Sequence, residues 1–488
     1  MYHDKEFIMI KTRFAPSPTG YMHIGNLRTA LYSFLIAKHG DGKFVLRIED
    51  TDRERLIEGA TDVIMSTLKM TKLSHDEGPD VGGNFGPYVQ SERKSIYMEY
   101  AKKLIDMDAA YYCFCTKERL EKLHEEDAVG GYDRHCRNLS REEIEKNLAA
   151  GIPFVIRQKM PLEGTVSYND SVFGTISTDA SELQDQILMK ADGYPTYNFA
   201  HVIDDYLMGI THVVRGSEYL TSTPKYVLLY DAFGWDRPTY VHLPLLMGKN
   251  ADGSISKLSK RHGAVSFQDL VADGFLPEAI LNYIALLGWC PKNSETEFFT
   301  LDELKAVFTI DGVSKSPAVF DFEKLLWFNG EYIHKLSDED FLSKVTPFIN
   351  LDIPENINQP KMFSLLKTRI SKLSEINEKM AFFLSLPEYE RELFLNKKNK
   401  ISDFDTPRAV LTEALEVLEG LSSFDNDTLF AVLSPLAEKL NLKLGALMWC
   451  IRIAVSGMAA TPGGATEIME VIGKRESIER IKAALARL

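Results

Sequence analysis

The chain has 488 residues, 45% hydrophobic and 26% charged, with a formal net charge of −14. This length exceeds what one hydrophobic core accommodates, so about two to four domains are expected. No apolar run approaches the roughly 20 residues of a spanning helix, and the first ten residues lack the apolar stretch of a secretory signal, which points to a cytoplasmic protein that does not enter the membrane. Five cysteines, an odd number, argue against a disulfide framework and for reduced thiols. The acidic balance does not exclude a nucleic-acid partner, because a basic track on an acidic body still meets phosphates.

In chain order, the first 110 residues alternate strand and helix patterns, as in a doubly wound sheet. Residues 12–15 read as extended, and Leu27, Ala30, Leu31, Phe34 and Leu35 then recur at helical spacing. Between them stands Pro16-Ser17-Pro18-Thr19-Gly20-Tyr21-Met22-His23-Ile24-Gly25-Asn26. A strand–loop–helix junction aims backbone N–H groups and a helix N-terminus at an anion. Within it His23 can donate to a phosphate oxygen, and Gly25 permits close approach of a base or ribose. Residues 44–48 read as the second strand, 50–70 as largely helical, 78–87 as loop and 91–107 as helix.

From 111 to about 191 the pattern changes to short strands with a cysteine cluster, an insertion between two halves of a nucleotide fold. Residues 213–215 and 240–247 resume the sheet. The Gly- and Ser-rich stretch 248–263 reads as a mobile loop carrying Lys257-Leu258-Ser259-Lys260-Arg261, and mobile cations suit charge that develops only in a transition state. Beyond about Asp321 the chain is helical, with amphipathic runs at 409–421 and 429–440 and no strand. The domains therefore divide as 1–110, 111–191, 192–320 and 321–488. Cys290 and Cys450 lie in apolar surroundings and are expected in the core. Neither a Gly-Xaa-Gly-Xaa-Xaa-Gly fingerprint nor a Walker loop is present, so dinucleotide redox chemistry and P-loop hydrolysis lose their usual support, and adenylate chemistry fits better.

The stretch Arg13-Phe14-Ala15-Pro16-Ser17-Pro18-Thr19-Gly20 closely resembles the start of the glutamyl- and glutaminyl-tRNA synthetases. His23-Ile24-Gly25-Asn26 and Lys257-Leu258-Ser259-Lys260-Arg261 resemble their class I signatures, with Asn26 in place of a second histidine and Arg261 where serine is common. Leu46-Arg47-Ile48-Glu49-Asp50-Thr51-Asp52, Gly193-Tyr194-Pro195-Thr196-Tyr197 and Val214-Arg215-Gly216 follow in the family's order. On these motifs the chain is identified as a member of the bacterial-type glutamyl-tRNA synthetase family over essentially its whole length.

The resemblance implies an α/β class I Rossmann-like catalytic domain, an inserted α+β acceptor-binding subdomain and an all-helical anticodon-binding region. It implies a monomer that joins L-glutamate to tRNA(Glu) with ATP and Mg2+. The ATP site implied is Pro16, Ser17, Gly20, His23, Gly25, Asn26, Lys257, Ser259 and Lys260, with His23, Lys257 and Lys260 catalytic. For glutamate it implies Arg13 as the fork on the side-chain carboxylate and Arg215 as a second cation, Ala15, Ser17 and Tyr197 as pocket walls, and Glu49 on the ammonium. A planar guanidinium meets a carboxylate with two parallel hydrogen bonds, which suits that assignment. The alternative pairs Arg13 and Arg47 with Glu49 and Asp50 as structural ion pairs. The sequence Gly216-Ser217-Glu218 departs from the family's usual acidic pair after the arginine, so that wall of the pocket is expected to differ.

Cys113, Cys115 and Cys136 resemble the zinc-bearing insertion of some members, with the fourth ligand open among His124, Tyr132 and His135. The alternative is three reduced cysteines packed together. In the helical region Arg369, Lys443 and Arg452 are candidate tRNA contacts, while Leu442, Leu444, Leu447, Met448 and Ile451 fall at core intervals. Three other readings are a glutaminyl enzyme, which the helical tail disfavours, a glutamyl enzyme that also charges tRNA(Gln), and a catalytically silent RNA-binding derivative, which the intact motifs disfavour. A shorter paralogue acting on a tRNA base lacks the anticodon region that this length provides.

Overall fold

The computed structural model describes residues 9–126, 132–250, 252–259, 262–263, 265–292 and 295–488. The chain divides into two compact units, Met1–Leu270 with Ile280–Asp321, and Val271–Ala279 with Phe322–Leu488.

The first unit is built on a six-stranded sheet of order β2-β1-β8-β9-β5-β6. Strands β1 (Lys11–Phe14), β2 (Lys43–Leu46), β8 (His212–Gly216) and β9 (Thr239–Leu243) are parallel; β5 (Thr165–Asp170) joins β9 in parallel, and β6 (Gly174–Asp179) closes the edge antiparallel. Every residue of β1 is buried, as expected of a parallel strand covered on both faces. The helix Ile24–His39 makes the crossover from β1 to β2, and Leu27, Ala30, Leu31, Phe34 and Leu35 are all buried on it. The path leaves β1 toward β2 on one side and lies beside β8 on the other, so the carboxyl ends of β1 and β8 flank a topological switch point, where open α/β sheets bind ligands.

A second sheet holds β3 (Ala110–Cys113), β4 (Val155–Gln158) and β7 (Ile187–Met189), and a third holds β10 (Leu246–Lys249), β11 (Ile255–Lys257) and β12 (Ala318–Phe320). The segment 111–191 is therefore shared, since its hairpin β5–β6 extends the main sheet while β3, β4 and β7 form their own.

One local expectation is refined and two need correction. Residues 50–70, expected to be largely helical, are so in two pieces rather than one: a short 3-10 turn at Arg53–Arg55 precedes the helix Ala60–Met70, and Glu49 N–H and Ile57 N–H donate to the carbonyls of Pro16 and Pro18 and tie the stretch to the first motif. Lys257 is not on a mobile loop; it ends β11, paired antiparallel with β10. Cys290 is exposed, because the backbone is extended there and its neighbour Trp289 takes the buried side.

The second unit contains, among its described residues, no ladder-forming strand. Its longer helices are Phe322–His334, Asp405–Glu419, Asn426–Lys439, Leu444–Ser456 and Ala465–Arg487. Leu411, Leu418, Leu433, Leu447, Cys450, Ile451 and Ile468 close its apolar core. Leu444 is 38% exposed: it is the first residue of its helix, and although it shares the face of Leu447 and Ile451 it stands at the end of that face. Among the described residues no helix is long and apolar enough to cross a membrane.

Candidate active site

The loop after β1 delivers the chain to the start of the helix Ile24–His39, where His23 is the N-cap. Its Nδ1 accepts the Gly25 N–H at 3.0 Å. A backbone N–H can only donate, so the imidazole proton resides on Nε2, which is left as a donor. Burial, with Lys257 nearby, holds the ring's pKa below its ordinary value, and His23 is neutral at pH 7. At Gly25 a Cβ would lie 3.2 Å from His23 Nδ1, so glycine makes room for the capping ring. Gly20 has φ +120°, a conformation that favours glycine, and serves the turn itself.

Two backbone bonds, Ile24 N–H to Val265 O and Phe267 N–H to Met22 O, each 2.9 Å, fasten this loop to the segment that follows the lysine motif. The two motifs, more than 200 residues apart in sequence, thereby face one cavity of about 1140 Å3. Its walls include Arg13, Ala15, Pro16, Ser17, His23, Gly25 and Asn26 from the first motif, and Glu49, Tyr197, Arg215 and Lys257 from elsewhere. Gly20 and Ser259 are not on its wall, whereas Leu258 is. Ser259 instead turns back, its N–H donating to His262 Nδ1 at 3.1 Å. Lys260, Arg261 and the side chain of His124 lie outside the described residues.

Around Arg13, Arg47 and Glu49 the charges are nearly balanced. Arg13 Nε donates to Asp205 Oδ1 at 3.0 Å and Nη1 to the Val214 carbonyl at 3.2 Å, so the guanidinium expected as a free fork has two of its five N–H donors engaged, one of them by a carboxylate. Arg47, fully buried, donates to Asp205 Oδ1 at 2.7 Å and to Glu49 Oε1 at 2.9 Å. Asp50 does not pair with either arginine and caps the Ser91 N–H instead. Burial pushes the Glu49 carboxyl up while Arg47 pulls it down, with a net rise; the two arginines hold Asp205 well below the usual carboxylate range. Glu49 Oε2 has no partner among the described residues.

Arg215 differs. It is 4% exposed, and among the described residues no carboxylate lies within ion-pair distance of it. Its partners are Thr223 Oγ1 at 2.7 Å, His242 Nε2 at 3.1 Å and, more loosely, His201 Nε2 at 3.4 Å. Tyr219, Tyr226 and Tyr240 present ring faces 4.8–5.6 Å from its guanidinium carbon. Tyr197 stacks on His201 at 4.8 Å between ring centroids. Asp205, His201, His242 and Thr223 were not among the residues expected from sequence. A single Asp or His in an apolar helix or strand carries no motif, and only the strand register reveals its neighbour.

The sulfur atoms of Cys113, Cys115 and Cys136 lie within 4.8 Å of one another. Tyr132 Oη is 3.2 Å from Cys113 Sγ and 3.8 Å from Cys115 Sγ, whereas His135 is exposed. Of the candidate RNA contacts, Arg369 is exposed with Nε on the Pro462 carbonyl, Lys443 is exposed at the start of the helix Leu444–Ser456, and Arg452 is half-buried with its Nε unpartnered.

Comparison with known proteins matches residues 9–327 to the catalytic domain of class I tRNA synthetases (E and Q) and residues 328–485 to an anticodon-binding domain. The chain is 56% identical over 483 residues to a glutamate–tRNA ligase of Clostridium tetani and 53% identical to one of Clostridium novyi, covering 98% of each partner and of itself. The crystal structure of a glutamate tRNA ligase from Elizabethkingia meningosepticum, in complex with its amino acid, superposes with a TM-score of 0.90 at 36% identity over 98% of this chain and 100% of that one. Whole-length identity above one half, together with a shared fold in both units, establishes that the chain belongs to the glutamate–tRNA ligases of class I.

Proposed function

We propose that the cavity activates L-glutamate and transfers it to tRNA(Glu) in two steps. The α-carboxylate of glutamate attacks the α-phosphorus of Mg2+–ATP, pyrophosphate leaves, and glutamyl-adenylate forms. A hydroxyl of the tRNA's 3'-terminal adenosine then attacks the activated carbonyl, and AMP departs. The work of the protein is positioning and electrostatics. Backbone N–H groups at the start of the helix Ile24–His39, with His23 Nε2–H, face the phosphates, and Asn26 offers an amide to the nucleotide. Lys257, with Lys260 from the same motif, meets the charge that grows on the leaving pyrophosphate. Pro16, Ser17, Gly20 and Ser259 shape the nucleotide loops.

The observation that carries the amino-acid assignment is Arg215, a buried cation with only neutral partners on the wall of this cavity. It is suited to the side-chain carboxylate, with Arg13 Nη2 as a second donor, Glu49 Oε2 on the ammonium, and Ala15, Ser17 and Tyr197 enclosing the chain. One chain supplies all these residues, so a monomer suffices, and its free thiols fit the cytoplasm. Pyrophosphate exchange with glutamate and with glutamine, each with and without tRNA(Glu), tests the reading. Exchange that needs both glutamate and the tRNA is expected; equal exchange with glutamine overturns it.

In the insertion, Cys113, Cys115, Cys136 and Tyr132 would hold a zinc ion, three soft thiolates and a phenolate closing four positions, and the ion would cross-link β3 to the turn carrying Cys136. Elemental analysis of protein purified without added metal is expected to return about one equivalent of zinc. In the helical unit Arg369, Lys443 and Arg452 are assigned to tRNA.

A further inference from the structure

The partners of Arg215 are arranged to hold it without neutralising it. Parallel pairing sets Arg215 opposite His242 in the register of β8 and β9, and Asp170 at the end of β5 lies beside β9 through Tyr240. Arg215 Nε–H must donate, so His242 Nε2 carries a lone pair, and the ring proton is on Nδ1, 2.6 Å from Asp170 Oδ2. Asp170 is itself fully engaged: its Oδ1 accepts the Val172 and Phe173 N–H groups and its Oδ2 also accepts the His242 N–H. His201 repeats the pattern from the helix Tyr197–Leu207. Its Nδ1 lies 2.8 Å from the Tyr197 carbonyl, which can only accept, so Nδ1 is protonated and the Nε2 lone pair faces Arg215 Nη1. Three of the five guanidinium N–H donors are thus met by neutral acceptors, and one on each Nη remains for the cavity, the pair that a carboxylate grips bidentately.

Resting on the reading that Arg215 receives the substrate's side-chain carboxylate, we propose that His201 and His242 are positioning residues for amino-acid specificity: two imidazoles locked in one tautomer fix the fork and keep its charge unpaired. Asp170 acts one imidazole away, where it orients His242 without forming the ion pair that would compete with substrate. Burial supports this arrangement by keeping both rings neutral, His201 down to about 3. Arg13 is the contrast within the same cavity, since its Nε is already paired with a carboxylate.

The test compares acceptors of equal reach and different charge in the full chain, read by pyrophosphate exchange with tRNA(Glu) present. His201→Glu and His242→Glu place a carboxylate where the lone pair was. They are expected to raise KM for glutamate about 10- to 100-fold, the factor that losing one charge-assisted hydrogen bond carries. KM for ATP should stay within about threefold, and the glutamate-to-glutamine ratio of kcat/KM should fall with the glutamate term. His201→Gln, whose amide oxygen replaces the Nε2 lone pair, is expected to recover the ratio. Equal losses in His201→Gln and His201→Glu, or an unchanged ratio in the Glu variants, overturn the proposal. Arg215→Ala run in parallel separates the two layers: if it leaves the ratio untouched, the Arg215 reading itself fails and the histidine proposal with it. If Arg215→Ala lowers the ratio and the Glu variants do not, only the histidine proposal fails. Should His242→Glu not fold, the His201 pair and calorimetric titration with glutamate decide the question.

Discussion

The two units treat buried charge in opposite ways. Among the described residues the sheet unit buries Lys11, Arg13, Arg28, Arg47, Glu49, Arg93, Asp170, Asp204, Asp205 and Arg215, among others, whereas in the helical unit the one buried charged side chain is Arg480. Desolvating an ion costs several kcal/mol and is tolerated only with partners or a purpose. In the sheet unit four of these ions, Arg13, Arg28, Glu49 and Arg215, line one cavity, and Arg47 and Asp205 pair with them from behind. The helical unit is an apolar scaffold, and of its candidate RNA contacts Arg369 and Lys443 stay at the surface, where charge is inexpensive to keep, while Arg452 is half-buried. Even Arg480 there is a structural stitch, donating to the carbonyls of Phe382, Phe383 and Val455 and to Glu476.

The largest effect expected from this contrast is at Asp205. Replacement by Ala leaves Arg13 and Arg47 without their shared anion and should destabilise the sheet unit by roughly 3–5 kcal/mol. The first unfolding transition in urea would measure it, and a loss below about 1 kcal/mol would show that the network is not held by this carboxylate. In activity rather than stability, Lys257→Ala should lower single-turnover activation on the order of 10²- to 10³-fold with a much smaller change in KM for glutamate. A change confined to KM would remove Lys257 from the transition state. Arg480→Met leaves three backbone carbonyls unpaired and should cost the helical unit about 1–3 kcal/mol while activation by the sheet unit persists.

The contrast also has a pH signature. Burial lowers the pKa of His23, His201, His212 and His242, so below about 6.5 the unfolded chain takes up protons that the folded sheet unit refuses, and stability falls as pH falls. For His201 the slope is about 1.4 kcal/mol per pH unit down to its folded value. Glu49, with a raised pKa, works the other way, one carboxylate against four histidines. Hydrogen exchange compared at pH 7 and pH 5 should show opening of β8 and β9 ahead of the helices Asp405–Glu419 and Leu444–Ser456. The smallest effect is at the surface: Lys443→Ala and Arg369→Ala should leave stability within about 0.5 kcal/mol and each reduce the salt dependence of tRNA binding by about one phosphate contact.

Local patterns were legible because they depend on near neighbours. The β1–loop–helix junction and the helices of residues 322–488 follow from periodicity, turn residues and short-range geometry. The largely helical stretch 50–70 is interrupted where a distant backbone group, the Pro18 carbonyl, captures the Ile57 N–H. The core expected around Cys290 failed because burial there alternates with an extended backbone, and Trp289 took the inner side.

Sequence motifs and the family resemblance named Arg13, His23, Glu49, Tyr197, Arg215 and Lys257, which the fold gathers on one cavity. They could not say which arginine is free. That depends on Asp205 arriving beside Arg13 from a helix 192 residues away, and on strand register setting His242, not a carboxylate, against Arg215. Charge balance in a buried site is a sum over all groups that packing brings within a few ångströms, and packing is decided by the whole fold.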